Sequence, residues 1–93
     1  MIYLEEKHYK IIQDILAKYP YDFYAFGSRV KGSHKPFSDL DLCLIKSIPI
    51  LEKAQLQEDL EESNLPFKVD IIQWNDISDD FKKIIKNDFI KFE

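Results

Sequence analysis

Apolar positions along the chain switch period several times, and each switch marks an element. Leu4, His8, Ile11, Ile12, Ile15, Leu16 and Tyr19 fall at helical spacing, and Pro20 stops the run. This predicts a helix over residues 4–19. Phe23 to Phe26 is a short aromatic run ended by Gly27, which reads as a strand. Residues 28–38 are polar, contain Gly32 and Pro36, and read as a turn or a single helical turn. Leu40, Leu42 and Leu44 then alternate with Asp39, Asp41 and Cys43, a period of two that predicts a second strand. Ser47 and Pro49 open a second helix that runs to about Ser63, with a less regular stripe of Leu51, Ala54, Leu56 and Leu60. Pro66 breaks the chain, and Phe67-Lys68-Val69-Asp70-Ile71-Ile72 reads as a third strand. Ser78 can cap a third helix, Asp79 and Asp80 suit its positive end, and Phe81, Ile84, Ile85 and Phe89 form its expected buried side. The order α-β-turn-β-α-β-α predicts an α/β (α+β) fold, a three-stranded sheet with helices covering one face.

Composition narrows the picture. The 93 residues suit one domain spanning 1–93, with no room for a separate lid or substrate domain. An apolar content of 45% marks a globular chain. Seventeen acids against 13 bases give a net charge of −4, with no basic stripe, so free nucleic acid is not an expected partner. A small polyphosphate carried in with magnesium remains compatible, because the metal reverses the local charge. Cys43 stands alone, so no internal disulfide forms, which fits a reducing compartment. The opening Met1-Ile2-Tyr3-Leu4-Glu5-Glu6 does not have the form of a signal peptide, and no apolar stretch approaches ~20 residues. A cytoplasmic protein with no membrane segment is expected.

Three acids carry the candidate chemistry. Asp39 and Asp41 are i and i+2 on a strand, so they project from one face with Cβ atoms about 6–7 Å apart. Carboxylates that close repel unless a cation sits between them, and magnesium takes hard oxygen ligands of this kind together with substrate phosphates. The plain alternative is an edge strand with its polar face in water. Cys43 and Ile45 share that face, which therefore turns apolar just beyond the acids and sets them at the rim of something covered. Asp70 lies in the most apolar stretch of the third strand, where a lone carboxylate is costly unless metal-bound or paired with a neighbouring Lys or Arg. Gly27-Ser28 follows the first strand directly, a turn that can aim N–H groups and one hydroxyl at a phosphate.

The spacing joins these signals. Phe26-Gly27-Ser28-Arg29-Val30-Lys31-Gly32-Ser33-His34-Lys35-Pro36-Phe37-Ser38-Asp39-Leu40-Asp41-Leu42 has the form Gly-Ser, ten residues, Asp-x-Asp. Here the chain resembles the DNA polymerase beta-like nucleotidyltransferase superfamily, and within it the minimal nucleotidyltransferases encoded beside a HEPN-domain partner. The resemblance implies a palm-like fold with a small mixed sheet. It implies that Gly27 and Ser28 hold the terminal phosphates of ATP, and that Asp39 and Asp41 bind two magnesium ions. Asp70 would be the third carboxylate, binding the metal nearer the acceptor and helping to deprotonate its hydroxyl. Two metals about 3.5–4 Å apart can stabilise the attacking and leaving oxygens of an in-line displacement. Arg29 follows the Gly-Ser pair and either steers the triphosphate or holds the loop by a salt bridge. Ser38, just before the acids, belongs to the same expected nucleotide-binding set.

The resemblance further implies transfer of AMP from ATP to a hydroxyl, with a tyrosine of a HEPN-domain toxin as acceptor. The chain would then be the antitoxin of a type VII-like toxin–antitoxin pair, in a homo- or hetero-oligomer. Two other readings stay open. One is an antitoxin that neutralises its partner by binding, with weak catalysis; the other is a transferase for a small-molecule acceptor. Elsewhere, Lys31, His34 and Lys35 read as solvated loop residues, Cys43 as packing and His8 as the edge of the core. Trp74 either anchors packing or stacks on a base.

Overall fold

A computed structural model describes all residues, 1–93. Helix α1 spans Glu6–Leu16 and directs Ile12 and Leu16 inward. It ends before the expected Tyr19, because Ala17, Lys18 and Tyr19 turn the chain back with N–H bonds to Gln13, Ile15 and Leu16. Strand β1 is Phe23–Phe26, and the polar stretch after it begins with one helical turn, α2, Ser28–Lys31. Strand β2 is Leu40–Leu44, helix α3 is Ile50–Glu61 and strand β3 is Val69–Gln73. A 3-10 turn, Trp74–Asp76, leads to helix α4, Asp79–Ile85. A second 3-10 turn, Lys86–Asp88, precedes a short strand β4, Ile90–Lys91.

The sheet has four strands in the order β3-β2-β1-β4. Strands β1 and β2 run antiparallel, as do β1 and β4, while β2 and β3 are parallel and joined across α3. The sheet is therefore mixed, as expected, with one more strand than the three read from sequence. Two residues carry too little periodicity to register as a strand. β4 forms because Phe92 packs into the core, stacked on Tyr9 at 4.5 Å, while its N–H donates to Phe23 O at 2.8 Å.

Alternation along the strands sorts residues onto two faces. Phe23, Ala25, Leu40, Leu42, Leu44, Val69 and Ile71 meet Ile12 and Leu16 of α1 and Leu56 and Leu60 of α3 in one cluster of 15 buried residues. Burying a leucine fully contributes about 1.5–3 kcal/mol, and Leu40, Leu42, Leu44 and Leu56 are all fully buried. The expected stripe of α3 is half right. Leu51 is 85% exposed and Ala54 is exposed too, so only Leu56 and Leu60 seat the helix.

The other face is covered as well, where one-sided cover was expected. Phe26, Cys43 and Ile85 form a second buried cluster, flanked by Ile45, Ile72, Trp74, Ile77 and Phe89. Ser78 caps α4 as expected, its Oγ accepting from Phe81 N at 3.2 Å. Of the four residues expected to face the core there, only Ile85 is fully buried; Phe81 and Ile84 are exposed. The tightening to a 3-10 turn at Lys86 brings Phe89 round onto Tyr24, Phe26 and Trp74. No helix is long and apolar enough to cross a membrane.

Candidate active site

The β2–β3 register pairs Leu40 with Val69, Asp41 with Asp70 and Leu42 with Ile71. Paired residues on parallel neighbours share a face, so Asp41 and Asp70 stand side by side. Asp39, two residues before Asp41 and one before the strand, belongs to the same face. Phe26, paired with Asp41 across β1 and β2, stands beside that carboxylate on this face, and Cys43 and Ile85 continue the cover away from Asp39. The acids therefore sit where that cover stops.

Asp41 is the most deeply set of the three. Burial, then Asp70, then Asp39 push its carboxyl up to about 6. Every cause acts in the same direction, against the charged form of Asp41. Asp70 differs from its expected setting. Its side chain is 44% exposed, and its Oδ1 lies 3.3 Å from Lys68 Nζ. The apolar neighbours Val69 and Ile71 face the main core, so the strand is buried while this carboxylate is not.

Gly27 closes the site from β1. Its φ of 84° and ψ of −155° lie in a region that glycine occupies freely and other residues do not. A Cβ there would stand 2.6 Å from Asp41 Oδ2. The Gly-Ser turn is thus pressed against the carboxylate, with no room for a side chain between them. Gly27 O then accepts from Val30 N and Lys31 N, which fixes the turn of α2 behind it. No side chain caps the first N–H groups of that turn. Gly32 ends it with φ 81°.

Arg29 holds the loop, through carbonyls rather than a salt bridge. It is 4% exposed and donates from Nε to Ser38 O, from Nη1 to Tyr3 O and from Nη2 to Pro36 O. Its guanidinium lies 4.1 Å from the Phe67 ring centroid. Of the two roles expected, those commitments fit the one that holds the loop, with backbone carbonyls in place of a salt bridge. Ser38 is likewise a loop residue, its Oγ accepting from Lys35 N at 2.8 Å. Tyr3 completes the brace, its N–H donating to Arg29 O at 2.7 Å.

Trp74 anchors packing, edge-on to Phe89 at 5.6 Å with Lys82 over its ring. Burial pushes the Cys43 thiol up to about 11, as suits an inert packing residue. His8 lies edge-on to Phe67 at the border of the core. Sequence reading passed over Lys68, Phe67 and Tyr3. Lys68 had a signal, since two residues before Asp70 on a strand means the same face. The contacts of Tyr3 and Phe67 with Arg29 span 26 and 38 positions of chain and left no local trace.

As the side chains lie, no three acidic, histidine or cysteine groups form a closed ligand set. The donor chemistry nevertheless suits a hard divalent cation. Three carboxylates share one face, and like charges act on the deepest.

Comparison with known proteins agrees with this geometry. The family model described as polymerase beta, nucleotidyltransferase, matches residues 10–91. The probable protein adenylyltransferase MntA of Haemophilus influenzae is 38% identical over 91 residues, covering 94% of this chain and 80% of the relative.

Proposed function

The chain belongs to the polymerase beta nucleotidyltransferase family, and from that premise we propose that residues 1–93 act as one domain transferring AMP from ATP to a hydroxyl of a partner protein. The observation that carries this reading is the Asp41–Asp70 pairing across β2 and β3 with Gly27 packed against Asp41 Oδ2. The Gly-Ser turn and a carboxylate set meet there. The name of the relative, a probable protein adenylyltransferase, supports ATP as donor and a protein as acceptor.

In this reading Asp39, Asp41 and Asp70 hold two magnesium ions. Bound there, the ions supply charge neutralisation of the triphosphate and stabilisation of the attacking and leaving oxygens. The Gly27-Ser28 turn offers its uncapped N–H groups and the Ser28 hydroxyl to the terminal phosphates. Asp70, the more exposed arm, faces the acceptor side and takes its proton as attack begins. A tyrosine is the acceptor that the family resemblance implies, and its ordinary pKa near 10 means that its proton must be removed as attack begins. Phosphoryl chemistry of this kind needs mainly positioning and charge stabilisation. The acceptor belongs to a HEPN-domain toxin, and modification makes this chain its cytoplasmic antitoxin.

The test is co-expression of the neighbouring protein with wild type or Asp70→Asn, followed by mass measurement after incubation with ATP and magnesium. Wild type should add one or more AMP units and protect the host. Asp70→Asn should bind ATP yet do neither. Equal protection by both would replace modification by neutralisation through contact.

A further inference from the structure

Lys68 occupies a position that the transfer chemistry does not require. It stands two residues before Asp70 on the same face of the chain entering β3, with its Nζ 3.3 Å from Asp70 Oδ1. Leu40 N donates to Lys68 O at 2.9 Å, and extending the register one step before the Leu40–Val69 pair sets Lys68 beside Asp39. A cation of the chain is therefore lodged at the mouth of the acidic face. Two observations bear on what it does there. The three acids do not close into a ligand set as they lie, and Asp70 is the one of them that forms an ion pair, with Lys68. With 59% of the Lys68 side chain and 44% of Asp70 exposed, water reaches the pair, and a pair so exposed exchanges readily.

We propose that Lys68 is a displaceable counter-ion for Asp70, a positioning residue that holds this carboxylate in the metal-free chain and releases it when a divalent cation binds among Asp39, Asp41 and Asp70. The inference rests on the metal-binding reading of those acids. It gives the site an order of loading. The Asp39–Asp41 side is open to a cation from the start, and the Asp70 side opens only once Lys68 has left.

The experiment is titration of the full chain with Mn2+ alone, with free ion followed by electron paramagnetic resonance. Lys68→Gln should bind Mn2+ roughly threefold to tenfold more tightly than wild type, because a competitor and a repelling charge are both gone. Lys68→Arg should restore wild-type affinity. In an Asp70→Asn background the Lys68→Gln gain should fall well below that in wild type, because only the loss of a repelling charge then remains, whereas a general change of surface charge would act equally in both. Unchanged or weaker binding by Lys68→Gln overturns the proposal, as does an equal gain in both backgrounds. Absence of Mn2+ binding in every variant, wild type included, would remove the metal reading itself and this inference with it. An effect on wild type but none of Lys68 would remove the inference alone.

Discussion

The two faces of the sheet are made by alternate residues of the same strands, yet they have opposite characters. On one face Leu40, Leu42 and Leu44 are fully buried under α1 and α3. On the other, Asp39 and Asp41 lead to Cys43 and Ile45, and the cover thins from the buried Cys43 through the half-buried Asp41 to the exposed Asp39. The covers differ in length. Helices α1 and α3 have 11 and 12 residues, about 16–18 Å at 1.5 Å per residue. Helix α4 has seven, about 10 Å, against roughly 17 Å for a five-residue strand. The short helix brings Ile85 into the second cluster and Phe81 against Phe26, which pairs with Asp41, so Asp41 is half-buried at the border of this cover while Asp39 beyond it is exposed. The site is thus the border of a face that is otherwise a second core.

The strongest way to break this comparison is to change adjacent residues on opposite faces. Asp39→Asn or Asp41→Asn should reduce nucleotidyl transfer below detection while leaving metal-free stability unchanged or slightly raised, since like charges are relieved. Leu42→Ala, one residue along and on the other face, should cost about 2–5 kcal/mol of unfolding free energy. Chemical denaturation of the three variants alongside a transfer assay reads both axes. A clear loss of stability in Asp41→Asn without metal would mean that the acids are structural.

How much of this was legible beforehand follows from how local each signal is. The period-two run from Asp39 to Ile45 announced both the strand and the change of character along its outer face. The Gly27-Ser28 to Asp39 spacing announced where the chain doubles back. What the sequence could not show was pairing at a distance. β4 exists because Phe92 docks on Tyr9 and Phe23, contacts set by the whole fold. Arg29 looked like a phosphate ligand because a cation beside Gly-Ser invites that reading. Its three carbonyl acceptors come from Tyr3, Pro36 and Ser38, which only the folded loop assembles. Asp70 was expected to be buried because its strand is. A strand buried on one side can still offer a carboxylate to water on the other.

A smaller effect sharpens the open face. Ser28→Ala should weaken ATP binding about tenfold to a hundredfold without abolishing it, because a hydrogen bond to a charged group contributes about 1.5–3 kcal/mol and the N–H groups of the turn remain. Calorimetry with ATP and magnesium measures this. Unchanged affinity would remove the hydroxyl from the phosphate site and leave the backbone alone there.

The smallest effect separates the faces by the sign of their response to acid. Asp41 has its carboxyl pushed up to about 6 by burial, Asp70 and Asp39, above the ordinary value for Asp of about 3.9. Between these values the folded chain holds a proton that the unfolded chain releases. Stability therefore rises as pH falls through about 6, and the gain is complete near the unfolded value. Asp59 behaves oppositely. Its carboxylate accepts from Tyr19 Oη at 2.7 Å, beside the main core, and that hydrogen bond holds its pKa below the usual range. Its contribution is present at neutral pH and is lost as pH falls through that lowered value. Metal-free protein should thus melt higher at pH 5 than at pH 7, by about a few degrees, and then lose stability in stronger acid. Asp41→Asn should flatten the limb between pH 5 and 7 and keep the acid limb, while Asp59→Asn should weaken only the latter. Saturating magnesium should also flatten the upper limb, since a bound cation favours the charged carboxylate. Thermal melts from pH 4 to 8 at constant ionic strength decide it. A wild-type profile that Asp41→Asn reproduces between pH 5 and 7 would show that the open face holds no suppressed charge, and the contrast between the two faces would reduce to one of cover alone.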